Sequence, residues 1–416
     1  MASDYNVRIL AMHSRADLAA EIATIESYAE AVPRVLAKAS HRLLRVERLG
    51  ATEAMILKQE LLALDGDALI SPTVYLGDRT ATTDALIFAS LRQIQELARR
   101  LGALPLPPLQ ALAEQLVATI AAAEPDERAA LTIAGVRFAW GARSYVMGIL
   151  NVTPDSFSAD GLADVATALA QAQRFADEGA DIIDIGGEST RPGARPIMLA
   201  EELRRVVPVV AEIARNLALP ISVDTYHAEV AAAALDAGAH MINDVWGLRR
   251  PEGGWNEPLA ALIAARAVPL VLMHNRRASP NIGAHGGHYA AVAYHDLLGE
   301  IIGGLRECVA YAEAQGIPRE RLIIDPGLGF GKTPAQNLTL MRRLGELRCI
   351  GLPLLVGASR KSFIGLPLDL PPQARDEGTA ATTALAIQSG ADIVRVHNVL
   401  MNVRAARIAD AITRAR

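Results

Sequence analysis

Residues 221–247, ISVDTYHAEVAAAALDAGAHMINDVWG, hold one copy of a pattern that runs through most of the chain. ISVD and HMIND are apolar runs of strand length that end on carboxylate or amide side chains. Between them, 227–237 is rich in alanine and has helical spacing. Strand, helix and strand in this order describe a βαβ unit with parallel strands covered on both faces.

The same alternation continues on both sides. SYVMGILNV, DIIDIGG, VPLVLMH, RLIID, PLLVG and DIVRVH read as further strands, mostly rich in Val and Ile. The segments 162–178, 199–217, 257–266, 289–315, 335–347, 376–389 and 400–415 read as helices between and after them. Eight strand–helix pairs in about 275 residues match the (β/α)8 TIM barrel, with an open doubly wound sheet as the competitor. LTIAGVRFAW and SYVMGILNV, separated by Gly-Ala-Arg, predict a hairpin running into a longer strand.

Upstream, a proline-rich stretch (LGALPLPPLQ, 101–110) precedes a helical segment at 109–123. EPDE then marks a boundary near 125. Within 1–125, VRILAM and ALIS read as strands, and Arg15–Tyr28, 50–64 and 84–101 as helices. The expected architecture is a small N-terminal α/β domain (1–125) without a defensible site, followed by the barrel (126–416).

Composition narrows the class. Of 416 residues, 51% are hydrophobic and 21% charged, which supplies a core and excludes wholesale disorder. The 41 basic and 46 acidic residues give a net charge of −5, which argues against a nucleic-acid binder. Charges or prolines interrupt every apolar stretch before it reaches bilayer length. The start, MASDYNVRIL, lacks a secretory signal, and two cysteines, Cys308 and Cys349, make no disulfide framework. A soluble protein of the reducing cytoplasm is expected.

In such a barrel the chemistry sits at the C-terminal ends of the strands. Asn151 follows the first strand; Glu188, Ser189, Thr190 and Arg191 follow the second. Asp224 ends the third, Asn243 and Asp244 the fourth, Met273 and His274 the fifth, and Asp325 the sixth. Ser359, Arg360, Lys361 and Ser362 follow the seventh, and Arg395, His397 and Asn398 the eighth. A single Asp or Asn after a strand is ordinarily a turn former or helix cap. Eight polar endings in register, with Arg, Lys and His among them, point to a site.

Asp224, Asn243 and Asp325 suit a flat heterocycle that forms hydrogen bonds. Arg191, Lys361, Arg395 and His397 suit carboxylate or phosphate oxygens, and Ser362 falls where a helix start favours an anion. Asp184 and Asp244 read as caps or braces, outside the expected site. GLGFGKT (327–333) has three residues between Gly327 and Gly331 where a nucleotide P-loop needs four, so it is set aside. His274, His285, His288 and His295 lie among Gly, Ser, Pro and Asn without a Cys or HExxH partner; a lid is expected there rather than zinc.

Seven segments together resemble the dihydropteroate synthase family: MGILNVTPDSFS (147–158), DIGGESTRPGA (184–194), SVDTY (222–226), INDVWG (242–247), IDPGLGFGK (324–332), GASRKS (357–362) and RVHN (395–398). They follow the family's order across 131–416. The resemblance implies a TIM barrel, usually a homodimer, that joins 6-hydroxymethyl-7,8-dihydropterin diphosphate to p-aminobenzoate and releases diphosphate. It implies pterin contacts from Asp224, Asn243, Asp325 and Lys361, with Val245 and Met273 packing the ring. It implies diphosphate anchoring by Asn151, Arg395 and His397, with Asn151 meeting Mg²⁺. Thr190, Arg191, Pro192, Phe330, Lys361 and Ser362 correspond to the p-aminobenzoate environment. Asn151, Lys361, Arg395 and His397 form the expected catalytic group.

Three departures stand out. SFSADGL replaces the more usual SFSDGG, so an ordering aspartate becomes Ala159 or moves to Asp160. RVHN replaces RVHD, which removes a charge at Asn398, and LMHNRR differs after the fifth strand. The competing readings are a methyltetrahydrofolate methyltransferase, a non-catalytic pterin-binding scaffold and a Schiff-base lyase using Lys361. The methyltransferase has no use for STRPGA, SRKS and RVH.

Overall fold

The structure, a computed structural model, describes residues 10, 15–25, 32–78, 80–123, 128–152, 161–188, 197–276, 281–283 and 286–414. The chain divides into two compact units, Met1–Ala121 and Ala122–Ala415.

The first unit contains α1 (Arg15–Ala23), α2 (Val32–Ala39), β1 (His41–Gly50), α3 (Ala51–Leu62), β2 (Asp67–Ile70), the short α4 (Pro72–Tyr75), β3 (Thr82–Ser90) and α5 (Leu91–Gly102). Its antiparallel sheet has the order β1-β3-β2. Ala68, Ile70, Ala85, Ile87 and Ala89 form one buried face against Leu57, Leu61, Ile94, Leu97 and Leu101. The single helix expected over 84–101 is instead β3 followed by α5. Alternating burial along TTDALIFAS follows the period of a strand, and Ser90 then starts the helix in a capping box with Gln93. The strand expected at VRILAM falls outside the described residues except Leu10, which lies in no strand, and the helix expected over Arg15–Tyr28 ends at Ala23, with Thr24 and Ile25 in a turn. β1 and α2 add a strand and a helix that the sequence pattern does not announce.

Helix α6 (Pro107–Ala123) leads into the second unit, which opens with a hairpin of β4 (Leu131–Ile133) and β5 (Val136–Phe138). Its turn is Ala134-Gly135, with φ of 50° and 77°, the two left-handed residues that a tight hairpin of the primed type requires. The reversal therefore lies inside LTIAGVRF and not at Gly-Ala-Arg.

The barrel then runs β6 (Tyr145–Asn151), α7 (Gly161–Glu178), β7 (Ile182–Gly186), α8 (Leu199–Asn216), β8 (Ile221–Asp224), α9 (Ala228–Asp236), β9 (Met241–Asp244), α10 (Glu257–Arg266) and β10 (Leu270–Met273). After a second hairpin, β11 (Asn281–Gly283) with β12 (Gly286–His288), it continues through α11 (Leu297–Ala314), β13 (Leu322–Asp325) and α12 (Pro334–Arg342). The remaining elements are β14 (Leu355–Val356), α13 (Ser362–Leu368), α14 (Asp376–Gln388), β15 (Ile393–Val396) and α15 (Val399–Thr413). Two expected helices are shorter than their apolar patterns: 289–315 starts only at Leu297, after the Asp296 cap, and 335–347 ends at Arg342 and continues as a 3-10 turn.

The sheet order β13-β10-β9-β8-β7-β6-β15-β14 is parallel throughout. A parallel bridge between Ile324 and Leu354, with Ile324 N donating to Pro353 O at 2.9 Å, joins the two ends. The sheet closes into the TIM barrel, which removes the open alternative.

Side chains alternate across this wall. Val146, Ile183, Val223, Ile242, Leu272, Ile324 and Val394 face the helix layer. Tyr145, Met147, Ile182, Met241, Val271, Ile323, Leu355 and Ile393 form a separate cluster with Leu131, Ile133, Phe138 and Trp140 of the first hairpin. The hairpin thereby plugs the N-terminal end of the barrel. Two residues further along β7, β9, β13 and β15, the same inward parity delivers Asp184, Asn243, Asp325 and Arg395.

Candidate active site

The inward positions at the C-terminal ends are Asn151, Asp184, Asp224, Asn243, Met273, Asp325 and Arg395. Parity follows from the strands: Asp184 lies two residues after inward Ile182, and Asn243 two after Met241. Arg395 sits at the centre of the polar set. Its Nε donates to Asp184 Oδ2 at 2.6 Å and its Nη2 to Asp224 Oδ2 at 2.7 Å. Asn243 Nδ2 donates to the same Asp184 oxygen at 3.2 Å. Asp184, expected to be only a brace, is thus fully buried at the heart of the group. The signal that finds it is the period of two along DIIDIGG. Asp244 has the opposite parity, and its carboxylate accepts from the backbone N–H of Trp246 at 2.8 Å and Leu248 at 2.6 Å.

These charges sit in a low-dielectric enclosure. Burial pushes the Asp224 carboxyl up to about 7 against the pull of Arg395, and burial likewise raises Asp325 against the pull of Lys361. Asp184 Oδ1, Asp224 Oδ1 and Ser222 Oγ are buried without a hydrogen-bond partner. Unmatched buried acceptors are costly, and a donor-rich ligand reaching them restores the missing bonds.

Lys361 caps α13, so Ser362 is the first residue of that helix, as expected. The Lys361 ammonium donates to Leu328 O and lies 4.7 Å from the centre of the Phe330 ring. Burial lowers it to about 8, opposed by the Asp325 charge. Phe330 belongs to the PGLGFGK loop, which packs directly on the end of β10. At Gly327 (φ +67°) a Cβ would stand 1.9 Å from His274 O, and at Gly331 (φ +56°) 2.2 Å from Arg276 O. Only glycine permits both the left-handed backbone and the close approach.

Lys332 shows why this loop is no nucleotide P-loop. The side chain is 1% exposed, and its Nζ donates to Gly327 O at 3.0 Å and Phe330 O at 3.1 Å and meets His274 Nδ1 at 3.1 Å. It ties the loop from beneath, and burial brings it down to about 7. Burial and the adjacent Lys332 charge keep His274 well below its ordinary range. His274, His288 and His295 gather into no metal-ligand set among the described residues; His285 lies outside them.

His397 Nδ1 is 2.9 Å from Ser359 Oγ, which also accepts from His397 N at 3.1 Å. Arg360 turns away and pairs with Asp376 through Nε and Nη2 at 2.8 and 3.0 Å. Asn398 donates to Asp376 Oδ2 at 2.9 Å and caps α15 through Met401 N at 3.2 Å. The Asn398 amide thereby joins the start of α14 to the start of α15. Val245 and Met273 are buried at their strand ends, 5% and 3% exposed. Asn151 Oδ1 points over Gly186, where a Cβ would lie 3.8 Å from it and 3.9 Å from Asp224 Oδ2. Thr190, Arg191, Pro192, Ala159 and Asp160 lie outside the described residues.

A closed (β/α)8 barrel whose mouth gathers two orphaned carboxylate oxygens, an amide and a lysine defines a barrel enzyme for a donor-rich heterocycle. The sequence family described as "Pterin binding enzyme" matches residues 147–397. Dihydropteroate synthase of Clostridium beijerinckii is 44% identical over 286 residues, which are 68% of this chain and 100% of that protein. A solved dihydropteroate synthase of Xanthomonas albilineans in complex with 7,8-dihydropteroate is 42% identical; it covers 66% of this chain and 95% of its own, with a TM-score of 0.57. A probable bifunctional folylpolyglutamate synthase/dihydropteroate synthase of Haloferax volcanii is 40% identical over 401 residues, 94% of this chain but 45% of that protein. The chain belongs to the pterin-binding enzymes and, within them, to the dihydropteroate synthases, folate-pathway transferases. Among the described residues no helix is long and apolar enough to cross a membrane.

Proposed function

We propose that the barrel mouth holds the pterin between Asp224, Asn243, Asp325 and Lys361, and that the reaction is an ionisation-first displacement of diphosphate by the amine of p-aminobenzoate. The observation that carries this reading is the pair of buried, unpartnered carboxylate oxygens, Asp184 Oδ1 and Asp224 Oδ1, beside the Arg395 guanidinium. A pterin presents ring N–H and amino groups to such acceptors, and Asn243 and Lys361 supply donors for its oxygen and nitrogen acceptors. Val245 and Met273 pack against the ring.

The C–O bond between the pterin methylene and the diphosphate breaks, and the diphosphate departs with the bonding pair. The ionised carboxylates favour the positive charge that develops on the pterin. The aniline nitrogen is neutral before attack, so it needs no covalent nucleophile or strong base; the C–N bond forms and the nitrogen releases one proton to solvent. Arg395 and His397 bind the departing oxygens, and Arg395 reaches them with Nη1, the nitrogen that neither carboxylate engages. Lys361, Phe330 and Ser362 fit the aminobenzoate side, where the Lys361 charge and the start of α13 attract its carboxylate, with Thr190, Arg191 and Pro192 completing that side.

The residues present fit Mg²⁺. Asn151 offers a neutral oxygen beside Asp224, and a hard cation of this kind takes one or two protein oxygens and the rest from phosphate and water. When bound, Mg²⁺ supplies neutralisation of the diphosphate charge. The enzyme is proposed to act in the cytoplasm as a homodimer, with the catalytic barrel at 126–416. The two cysteines are free, as a reducing compartment allows.

The test is a steady-state assay of the full chain with dihydropterin diphosphate, p-aminobenzoate and Mg²⁺, following dihydropteroate and diphosphate together. Equal release of both is expected, with Asp325→Asn raising the pterin KM. Pterin binding without product sinks the catalytic assignment.

A further inference from the structure

A second polar cluster adjoins the proposed pterin residues without sharing any of them: its Glu202 charge acts on Asp224. Glu188 follows β7, Glu202 is in the first turn of α8, and His227 is the cap residue of α9. One ligand atom from each, two carboxylate oxygens and an imidazole nitrogen, all lie within 4.8 Å of one another. His227 Nε2 is 3.8 Å from Glu202 Oε2, beyond hydrogen-bond distance.

The second, independent observation is the state of the acids. Glu202 is 1% exposed, and its Oε2 has no hydrogen-bond partner. Glu188 Oε2 is likewise buried without one, while Glu188 Oε1 accepts from the Tyr226 hydroxyl at 3.3 Å. Two carboxylates turned toward each other repel, and neither oxygen is satisfied by protein. A cation between them supplies the missing partner for both and for the imidazole.

We propose that Glu188, Glu202 and His227 form a binding site for a divalent transition-metal ion of the zinc class. The mixed oxygen and imidazole set favours Zn²⁺, Co²⁺ or Ni²⁺ over Mg²⁺ or Ca²⁺, which take oxygen alone. Zinc bonds of about 2.0–2.2 Å would draw the three atoms to about 3.3–3.5 Å apart, a change of side-chain rotation, with water as fourth ligand. The His227 side chain, 31% exposed, gives access from solvent. The site joins the end of β7 to the starts of α8 and α9, and Glu188 directly precedes 189–196, the segment carrying Thr190, Arg191 and Pro192. Its three ligands are distinct from Asn151, where Mg²⁺ is proposed.

The experiment titrates Co²⁺ into the full-length, untagged, chelator-treated protein and follows visible absorption and calorimetric heat. One equivalent with a tetrahedral spectrum, displaced by Zn²⁺, is expected. His227→Ala and Glu202→Gln should each weaken binding by about 100-fold, at or beyond the effect of losing an outer-sphere partner. His227 is partly exposed, so its variant keeps the test informative if the buried Glu202 change prevents folding. No Co²⁺ uptake overturns the proposal, and so does unchanged affinity in His227→Ala, which would place the ion on other histidines.

Discussion

Replacing Arg395 by Met keeps the length of the side chain and removes the cation that serves two buried carboxylates. Asp184 is fully buried and Asp224 is 7% exposed, so neither regains water when the guanidinium leaves. Breaking a buried ion pair in this way costs about 3–5 kcal/mol. In a unit of this size that lowers the barrel transition by about 6–12 °C.

The loss also acquires a pH dependence. In the parent, Asp224 titrates near 7 against an ordinary value of 3.8, so the folded state binds more protons between these limits. The contribution of this group to stability is full below the unfolded value, declines as pH rises through 7, and is flat above about pH 8. Without Arg395 the folded value rises further, and the decline continues past pH 8 at about 1.4 kcal/mol per pH unit. Urea unfolding of parent and variant at several pH values from 6.5 to 9 measures both effects. Arg395→Met combined with Asp224→Asn should recover much of the loss by deleting one stranded charge. A variant within about 1 kcal/mol of the parent at pH 8, or with a deficit equal at every pH, refutes the reasoning.

Three further outcomes follow from single contacts. Gly327→Ala forces a Cβ against His274 O from a left-handed backbone, so thermal unfolding should show a loss above about 3 kcal/mol; an unchanged Tm contradicts the close packing of the loop. Asn398→Asp retains the cap on α15 but opposes Asp376, so a stability loss of about 1 kcal/mol at pH 8 is expected with kcat/KM unchanged. A tenfold fall in kcat/KM would return residue 398 to the anion site. Lys332→Met removes the donor shared by Gly327 O, Phe330 O and His274 Nδ1, and should raise the p-aminobenzoate KM through Phe330 while costing about 2–4 kcal/mol in urea unfolding.

The eight apolar runs and their polar endings were legible because parallel strands buried on both faces need continuous hydrophobic residues, and a functional end interrupts them visibly. That interruption singles out Asp224, Asn243, Asp325, Lys361 and Arg395. The N-terminal unit was less legible: TTDALIFAS runs without a break into the amphipathic LRQIQELARRLG, and only the cap at Ser90 divides strand from helix. Closure of the sheet depends on the Ile324–Leu354 pairing, a contact between segments whose own sequences do not specify a neighbour. The role of Asp184 was equally a tertiary matter. Its spacing gives it the inward face, but only the closed barrel brings Arg395 from the last strand onto Asp184 and Asp224 from the second and third. Local sequence sets which face a side chain takes, whereas the burial that pushes Asp224 up to about 7, and the opposing pull of Arg395 from 171 positions away, exist only in the closed barrel.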